Sequence, residues 1–277
     1  MTLDVIEIIK VILLGIVEGI TEWLPISSTG HMLIVDEFLQ LNASEAFKDM
    51  FFIVIQLGAI LAVVVIFWNR MFPFQWSDKM QPVIKKETFS LWFKVAVTCI
   101  PGAIVTILFD DYIEEYFHKP AVIATALIFY GIAFILIENW NKKRIPTVHS
   151  LTDITYKTAL AIGLFQVLSI IPGTSRSGAT IIGGLLIGVS RVAVAEFTFF
   201  LAVPVMIGMS VLKILKFGFY LTSTELLMLG IGMVVAFGVS ILVIKFLMNY
   251  IKRHDFKVFG WYRIIFGVIA LLYFAVA

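Results

Sequence analysis

Long apolar runs alternate with short polar segments along the whole chain. Runs of about twenty mostly apolar residues fall near 50–68, 90–109, 120–138, 192–213, 223–249 and 258–276. A helix of ~20 residues is long enough to cross the hydrocarbon core of a bilayer, so each run predicts a transmembrane helix. The runs are continuous, which argues against the period-two alternation of a membrane β-barrel. Two stretches break the pattern. Residues 4–40 carry Glu7, Lys10, Glu18 and Glu22 ahead of Pro25, and residues 156–190 are interrupted by Pro172-Gly173 and carry Arg176. Each predicts a re-entrant helical hairpin that enters and leaves on one side. Backbone broken inside a membrane must be covered by protein or face a wet cavity.

Loop charge supports six spans and two non-crossing hairpins. Segment 69–89 holds Arg70, Lys79, Lys85 and Lys86; 139–157 holds Lys142, Lys143, Arg144 and Lys157; 250–257 holds Lys252, Arg253 and Lys257. The alternate segments are poorer in basic residues. Segment 36–49 sets Asp36, Glu37, Glu45 and Asp49 against Lys48, segment 110–119 sets Asp110, Asp111, Glu114 and Glu115 against Lys119, and 214–222 holds Lys216. Basic loops belong on the cytoplasmic side.

Composition agrees. The 277 residues are 60% hydrophobic and 14% charged, against ~45–50% and ~25% in a soluble domain. The fold class is therefore all-α and polytopic. The net charge of +2 gives no footing for nucleic-acid binding, and Cys99, the single cysteine, permits no internal disulfide. The first residues are acidic, unlike the basic start of a signal peptide, so the apolar segments are expected to drive insertion. Glu138, Asp153, Glu196 and Glu225 fall at expected span ends or in loops and read as interfacial. The twenty-five phenylalanines read as lipid-facing bulk.

The hairpins look like two copies of one unit. Gly15-x-x-Glu18 ahead of Pro25 parallels Gly163-x-x-Gln166 ahead of Pro172, and Ser-Ser-Thr-Gly parallels Ser-Arg-Ser-Gly. Each half, about 1–140 and 155–277 of a single membrane domain, is one hairpin plus three spans. An odd number of spans inverts the second copy, so the hairpin tips are expected to meet near the midplane, a known way to build a site.

The polar residues at these tips suggest an anion. Glu18 and Glu22 share a helix face at four-residue spacing. They can bind a divalent cation together, or one can stay protonated as an acid or base; solvation at the interface is the plainer alternative. Ser27, Ser28, Thr29 and Gly30 follow Pro25 where a helix should restart, offering free N–H groups to an anion. N-capping alone needs one hydroxyl. His31 lies about one turn beyond Ser28 and can activate a hydroxyl, attack phosphorus or protonate a leaving oxygen. Arg176, flanked by Ser175 and Ser177, is best explained by an anionic ligand, with an ion pair to Glu18 or Glu22 as the alternative. Thr180 can add a hydroxyl, and Gln56 either lines the same cavity or bonds a neighbouring helix.

The segments Glu18–His31 and Pro172–Thr180 resemble the two signature motifs of the undecaprenyl-diphosphate phosphatases, the BacA/UppP family. The resemblance extends to Gln56–Val65, to Glu196–Pro204, and to the length and hydropathy, and so covers nearly the whole chain; Trp23 and Thr174 read as variable positions. It implies hydrolysis of undecaprenyl diphosphate to undecaprenyl phosphate and inorganic phosphate. That reaction recycles the lipid carrier for peptidoglycan in the bacterial plasma membrane, and the family is associated with bacitracin resistance. It implies a divalent cation, Mg2+ or Ca2+, and catalytic roles for Glu18 and Glu22, which would bind the metal or handle protons. It also implies a long-chain polyprenyl diphosphate as partner, a homodimer as an allowed assembly, and a site opening to the outer face. By motif position Ser28 is the favoured nucleophile, with His31 as alternative or acid/base. Arg176, Ser175 and Thr180 would hold the diphosphate, with Ser27, Thr29, Gly30 and Ser177 around it. A transporter or flippase is the rival reading from the architecture alone. A channel fits less well, because the polar residues cluster at one point.

Overall fold

The computed structural model describes residues 4–75, 83–117, 119–218 and 220–276. Lys79 of the first basic loop lies outside them.

The first hairpin is α1 (Val5–Thr21) and α2 (Ser28–Leu39). The first span is built from α3 (Glu45–Val54), α4 (Gln56–Ile66) and the short α5 (Trp68–Met71), with breaks at Ile55 and Phe67. Gln56 opens α4 at the first of these breaks. Next come α6 (Lys86–Phe117) and α7 (Pro120–Asn141). The second hairpin is α8 (Tyr156–Gln166), a 3-10 turn (Val167–Ile170) and α9 (Arg176–Leu186). The chain closes with α10 (Arg191–Phe217), α11 (Ser223–Tyr250) and α12 (Lys257–Val276).

Local sequence sets these ends. Asp4, Ser44, Thr155 and Ser190 each accept a hydrogen bond from a backbone N–H of the first turn they precede. Thr222 and Glu225 form a reciprocal capping box on α11. Six helical segments are long and apolar enough to cross a membrane: Glu45–Met71, Lys86–Phe109, Pro120–Asn141, Arg191–Phe217, Ser223–Tyr250 and Lys257–Val276. These are the six runs expected from the sequence, and the two broken stretches form the hairpins.

Several expectations need correction. The acidic segment 110–119 is not a loop: beyond non-helical backbone at Phe109, the helix continues to Phe117. The side chains of Asp110, Asp111, Glu114 and Glu115 lie outside the described residues. Glu138 is fully buried rather than interfacial, accepting from Arg191 and from the backbone N–H of Phe256. The phenylalanines are not simply lipid-facing, since Phe47, Phe51, Phe67, Phe134, Phe197, Phe199, Phe200 and Phe256 sit in the core. A chain this apolar can direct phenylalanine inward or outward at little difference in free energy, because lipid and core are alike as solvents.

Glycines allow the closest helix approaches. A Cβ at Gly131 of α7 would lie 2.7 Å from the carbonyl oxygen of Gly260 on α12, and a Cβ at Gly260 would lie 2.8 Å from the carbonyl oxygen of Gly131. This reciprocal contact joins α7 to α12. The hairpins pack by the same rule. The first arm α1 sits on α11, with Gly15 against the Gly232 carbonyl; the corresponding arm α8 sits on α6, with Gly163 against the Thr98 carbonyl. Both first arms are thereby packed against a long helix of the bundle.

Candidate active site

Glu18 and Glu22 end the first arm one turn apart, and both are buried, at 0% and 6% exposed. Solvation at an interface is thereby excluded for both. After Pro25 the chain turns sharply. Ser27 takes a φ of 76°, and its counterpart Ser175 in the second hairpin takes 73°. These are the non-glycine residues with positive φ among the described residues. Such conformations cost about 1–3 kcal/mol and persist where surroundings over-determine them. Each serine caps its helix, accepting from the N–H three residues on: Gly30 to Ser27 Oγ at 3.4 Å, and Gly178 to Ser175 Oγ at 3.2 Å. One hydroxyl per hairpin is thus used in capping.

The next residue of each hairpin turns to Glu22. Ser28 Oγ donates to Glu22 Oε2 at 2.5 Å, and Arg176 Nη2 donates to Glu22 Oε1 at 3.0 Å. Glu22 therefore bridges a hydroxyl from one tip and a guanidinium from the other, within a side-chain environment only 7–11% exposed. Arg176 Nη1 also donates to the Thr198 carbonyl of α10 at 3.0 Å, while its buried Nε has no partner. Ser175 and Ser177 share a hydrogen bond at 3.1 Å.

Glu18 differs from Glu22. Neither of its carboxylate oxygens has a hydrogen-bond partner, although the residue is wholly buried. A carboxylate in that state needs a cation or a proton. A hard divalent cation fits this oxygen donor, with Glu22 alongside. Among the described residues no group of three or more His, Cys, Asp or Glu gathers, so further ligands would come from substrate oxygens and water, as Mg2+ commonly arranges.

His31 is fully occupied. Its Nδ1 lies 2.7 Å from the Ser27 carbonyl oxygen and its Nε2 lies 2.7 Å from the Tyr262 hydroxyl. A carbonyl can only accept, so Nδ1 carries the proton, and in the neutral ring Nε2 accepts from Tyr262. The ring stacks on Phe266 at 4.0 Å. His31, held by Tyr262 and Phe266 of α12, thus props the strained Ser27 turn.

The remaining expected residues divide. Gly30 and Ser177 are buried in the first turns of α2 and α9. Thr29 is exposed on α2. Thr180 is buried, and its hydroxyl is spent on the carbonyls of Arg176 and Ser177 and on the Thr198 hydroxyl. It holds the α9 turn against α10. A cavity of about 1200 Å³ elsewhere, lined by Arg70, Lys85, Lys86, Lys94, His149 and Glu196, includes none of these residues.

Arg263 went unnoticed in the sequence. It is completely buried on α12 and reaches both broken segments. Nη1 donates to the Pro25 carbonyl at 3.1 Å; Nη2 donates to those of Gly173 at 2.7 Å and Thr174 at 2.9 Å; Nε reaches Leu127 of α7 at 3.4 Å. The available signal was a lone arginine inside an apolar run, which is a functional pointer by default.

Fold and site together define an integral membrane protein with a buried, charge-bridged polar centre between two broken helical hairpins. Residues 11–269 match the family described as Bacitracin resistance protein BacA, and the chain belongs to that family. It is 73% identical over 276 residues to an Undecaprenyl-diphosphatase of Enterococcus faecalis, covering 100% of each chain. It is 62% identical over 275 residues to one of Lachnoclostridium phytofermentans, covering 99% of this chain and 100% of the relative. A Streptococcus thermophilus Undecaprenyl-diphosphatase is 55% identical over 275 residues, with 98% and 95% covered.

Proposed function

We propose that this protein is an undecaprenyl-diphosphatase of the bacterial plasma membrane, hydrolysing undecaprenyl diphosphate to undecaprenyl phosphate and inorganic phosphate. Full-length identity to relatives of that name carries the reaction. The bridging of Ser28 and Arg176 by one carboxylate carries the site. The flippase alternative gains no support from these relatives.

Phosphoryl transfer is mainly positioning and charge neutralisation. Glu22 is in hydrogen-bond reach of Ser28 Oγ, so it is placed to take the hydroxyl proton. Ser28 Oγ then bonds to the terminal phosphorus while the bond to the bridging oxygen breaks, and undecaprenyl phosphate leaves. Glu22 passes that proton to the departing phosphate oxygen, then takes a proton from the water that attacks the seryl phosphate and returns it to Ser28 Oγ as the serine–phosphorus bond breaks, freeing inorganic phosphate. Arg176, with its unpartnered Nε, faces the diphosphate oxygens, and the N–H groups opening α9 aid it. Attack by His31 instead would first have to displace the Tyr262 hydroxyl from Nε2. A divalent cation held by Glu18 and Glu22 would neutralise charge on the diphosphate.

Loop charge supports cytoplasmic basic loops, and the family resemblance supports a site opening to the outer face. Exchangeable packing of the hairpins supports halves of about 1–140 and 155–277 as inverted copies. The substrate's apolar tail can then stay in lipid while its headgroup enters the bundle.

The test is phosphate release from a long-chain polyprenyl diphosphate by detergent-purified protein, with added cation or EDTA. Cation-dependent release that Arg176→Ala reduces by about a thousandfold or more is expected, since the arginine neutralises transferring charge. A folded Arg176→Ala variant with near-normal turnover would refute the site. The same preparation, run by light scattering with detergent correction, decides between a monomer and a homodimer.

A further inference from the structure

We propose that Arg263 is a positioning residue that sets the two hairpins in register, so that Ser28 from one and Arg176 from the other address the same diphosphate. The inference rests on the site reading above and adds a residue from outside both hairpins. Breaking a helix leaves carbonyl oxygens without their intrahelical donors, and burying them unpaired is costly. Pro25, Gly173 and Thr174 carry such oxygens, and all three accept from one guanidinium at 2.7–3.1 Å. Pro25 is three residues before Ser28, and Thr174 is two before Arg176. Moving the guanidinium therefore moves both tips relative to each other.

Only arginine fits this geometry. Its rigid fork presents five N–H donors in one plane, and four of them go to carbonyls of α7, hairpin one and hairpin two. The face of Tyr130 lies 5.8 Å from its centre. Space is reserved for it as well: a Cβ at Gly178, in the first turn of α9, would lie 3.0 Å from Nη1. With its donors engaged by carbonyls, Arg263 does not itself grip substrate. Each hairpin keeps its own phosphate-binding groups when the register slips, while the attacking oxygen and the phosphorus fall out of line. The rate of the chemical step should suffer and substrate binding should not, because a displacement near 1 Å can cost about a hundredfold in rate.

The experiment compares full-length wild type, Arg263→Lys, Arg263→Gln and Ser28→Ala in detergent, using a long-chain polyprenyl diphosphate. Circular dichroism and thermal unfolding give the folded fraction. We expect kcat per folded molecule to fall roughly tenfold to a hundredfold in Arg263→Gln while KM changes by less than about threefold. Arg263→Lys, which restores the charge and some donors, should regain part of kcat. Folded variants with wild-type kcat, a loss confined to KM, or the failure of both variants to fold would each overturn the proposal in favour of a purely structural arginine. Unchanged kcat at Arg263 beside an inactive Ser28→Ala sinks this inference alone. Full turnover by Ser28→Ala sinks the site reading beneath it.

Discussion

At the scale of single residues, the site uses adjacent side chains for opposite tasks. Ser27 spends its hydroxyl on a helix cap in a strained conformation, and this leaves Ser28 free to reach Glu22. The strained turn is held by His31 of the same helix, which Tyr262 holds from α12. Removing the Tyr262 hydroxyl leaves a buried ring nitrogen without its donor, a loss of about 1–3 kcal/mol. Tyr262→Phe is therefore expected to lower turnover by roughly tenfold or more, with the protein still folded. Phosphate-release kinetics check this, and an unchanged rate would mean that the prop is dispensable.

At the scale of elements, each helix break is fixed by backbone geometry as well as by side chains. Gly173 has a φ of +89°, and a Cβ there would lie 2.4 Å from the Ile123 carbonyl oxygen of α7. Gly173→Ala would therefore meet both a conformational penalty and a backbone clash. A markedly lower thermal unfolding midpoint is expected, and a melting curve like wild type would show that hairpin two can retreat from α7. The loop before hairpin two has a pH-sensitive tie. Asp153 accepts from the Ser150 hydroxyl and from the backbone N–H groups of Ser150 and His149. The Ser150 hydroxyl, more than any other neighbour, holds its carboxyl below the ordinary aspartate range. A depressed folded-state pKa gives stabilisation that is complete above the unfolded value and is lost as pH falls through the folded one. Amide exchange at His149 and Ser150 should speed up, beyond its intrinsic pH trend, over that acidic window and not at neutral pH. Asp153→Asn should show the fast exchange throughout.

At the scale of the whole molecule, α7 and α12 meet through the reciprocal Gly131–Gly260 contact, and small residues let the backbones close up where lipid supplies no hydrophobic drive. Gly131→Ala must push α12 away, because its Cβ would sit 2.7 Å from the Gly260 carbonyl oxygen and 2.8 Å from Ile264. Arg263 lies one turn beyond Gly260 on the same helix. The variant is thus expected to lose stability and turnover together, read by thermal unfolding and phosphate release. Loss of stability with full turnover would show that α12 tolerates displacement without disturbing the site.

The sequence by itself determined what depends on local content. Six apolar runs of membrane length became six helices, and two runs broken by proline, glycine and hydroxyls became hairpins, because hydrocarbon accepts only backbone that satisfies itself. The motif residues Glu22, Ser28 and Arg176 were legible for the same reason, being polar groups placed where burial is expensive. Tertiary structure alone decided which polar groups pair. It assigned the cap to Ser27 and the Glu22 contact to Ser28, spent the Thr180 hydroxyl on its own helix and on α10, and left Glu18 without a partner. It also turned phenylalanines inward and buried Glu138, since a chain apolar on all sides does not mark its inner face. Arg263 is the clearest case: its partners are backbone carbonyls 89 to 238 positions away in the chain. Carbonyls are present at every residue, so only the folded path of the backbone determines which of them a buried arginine meets.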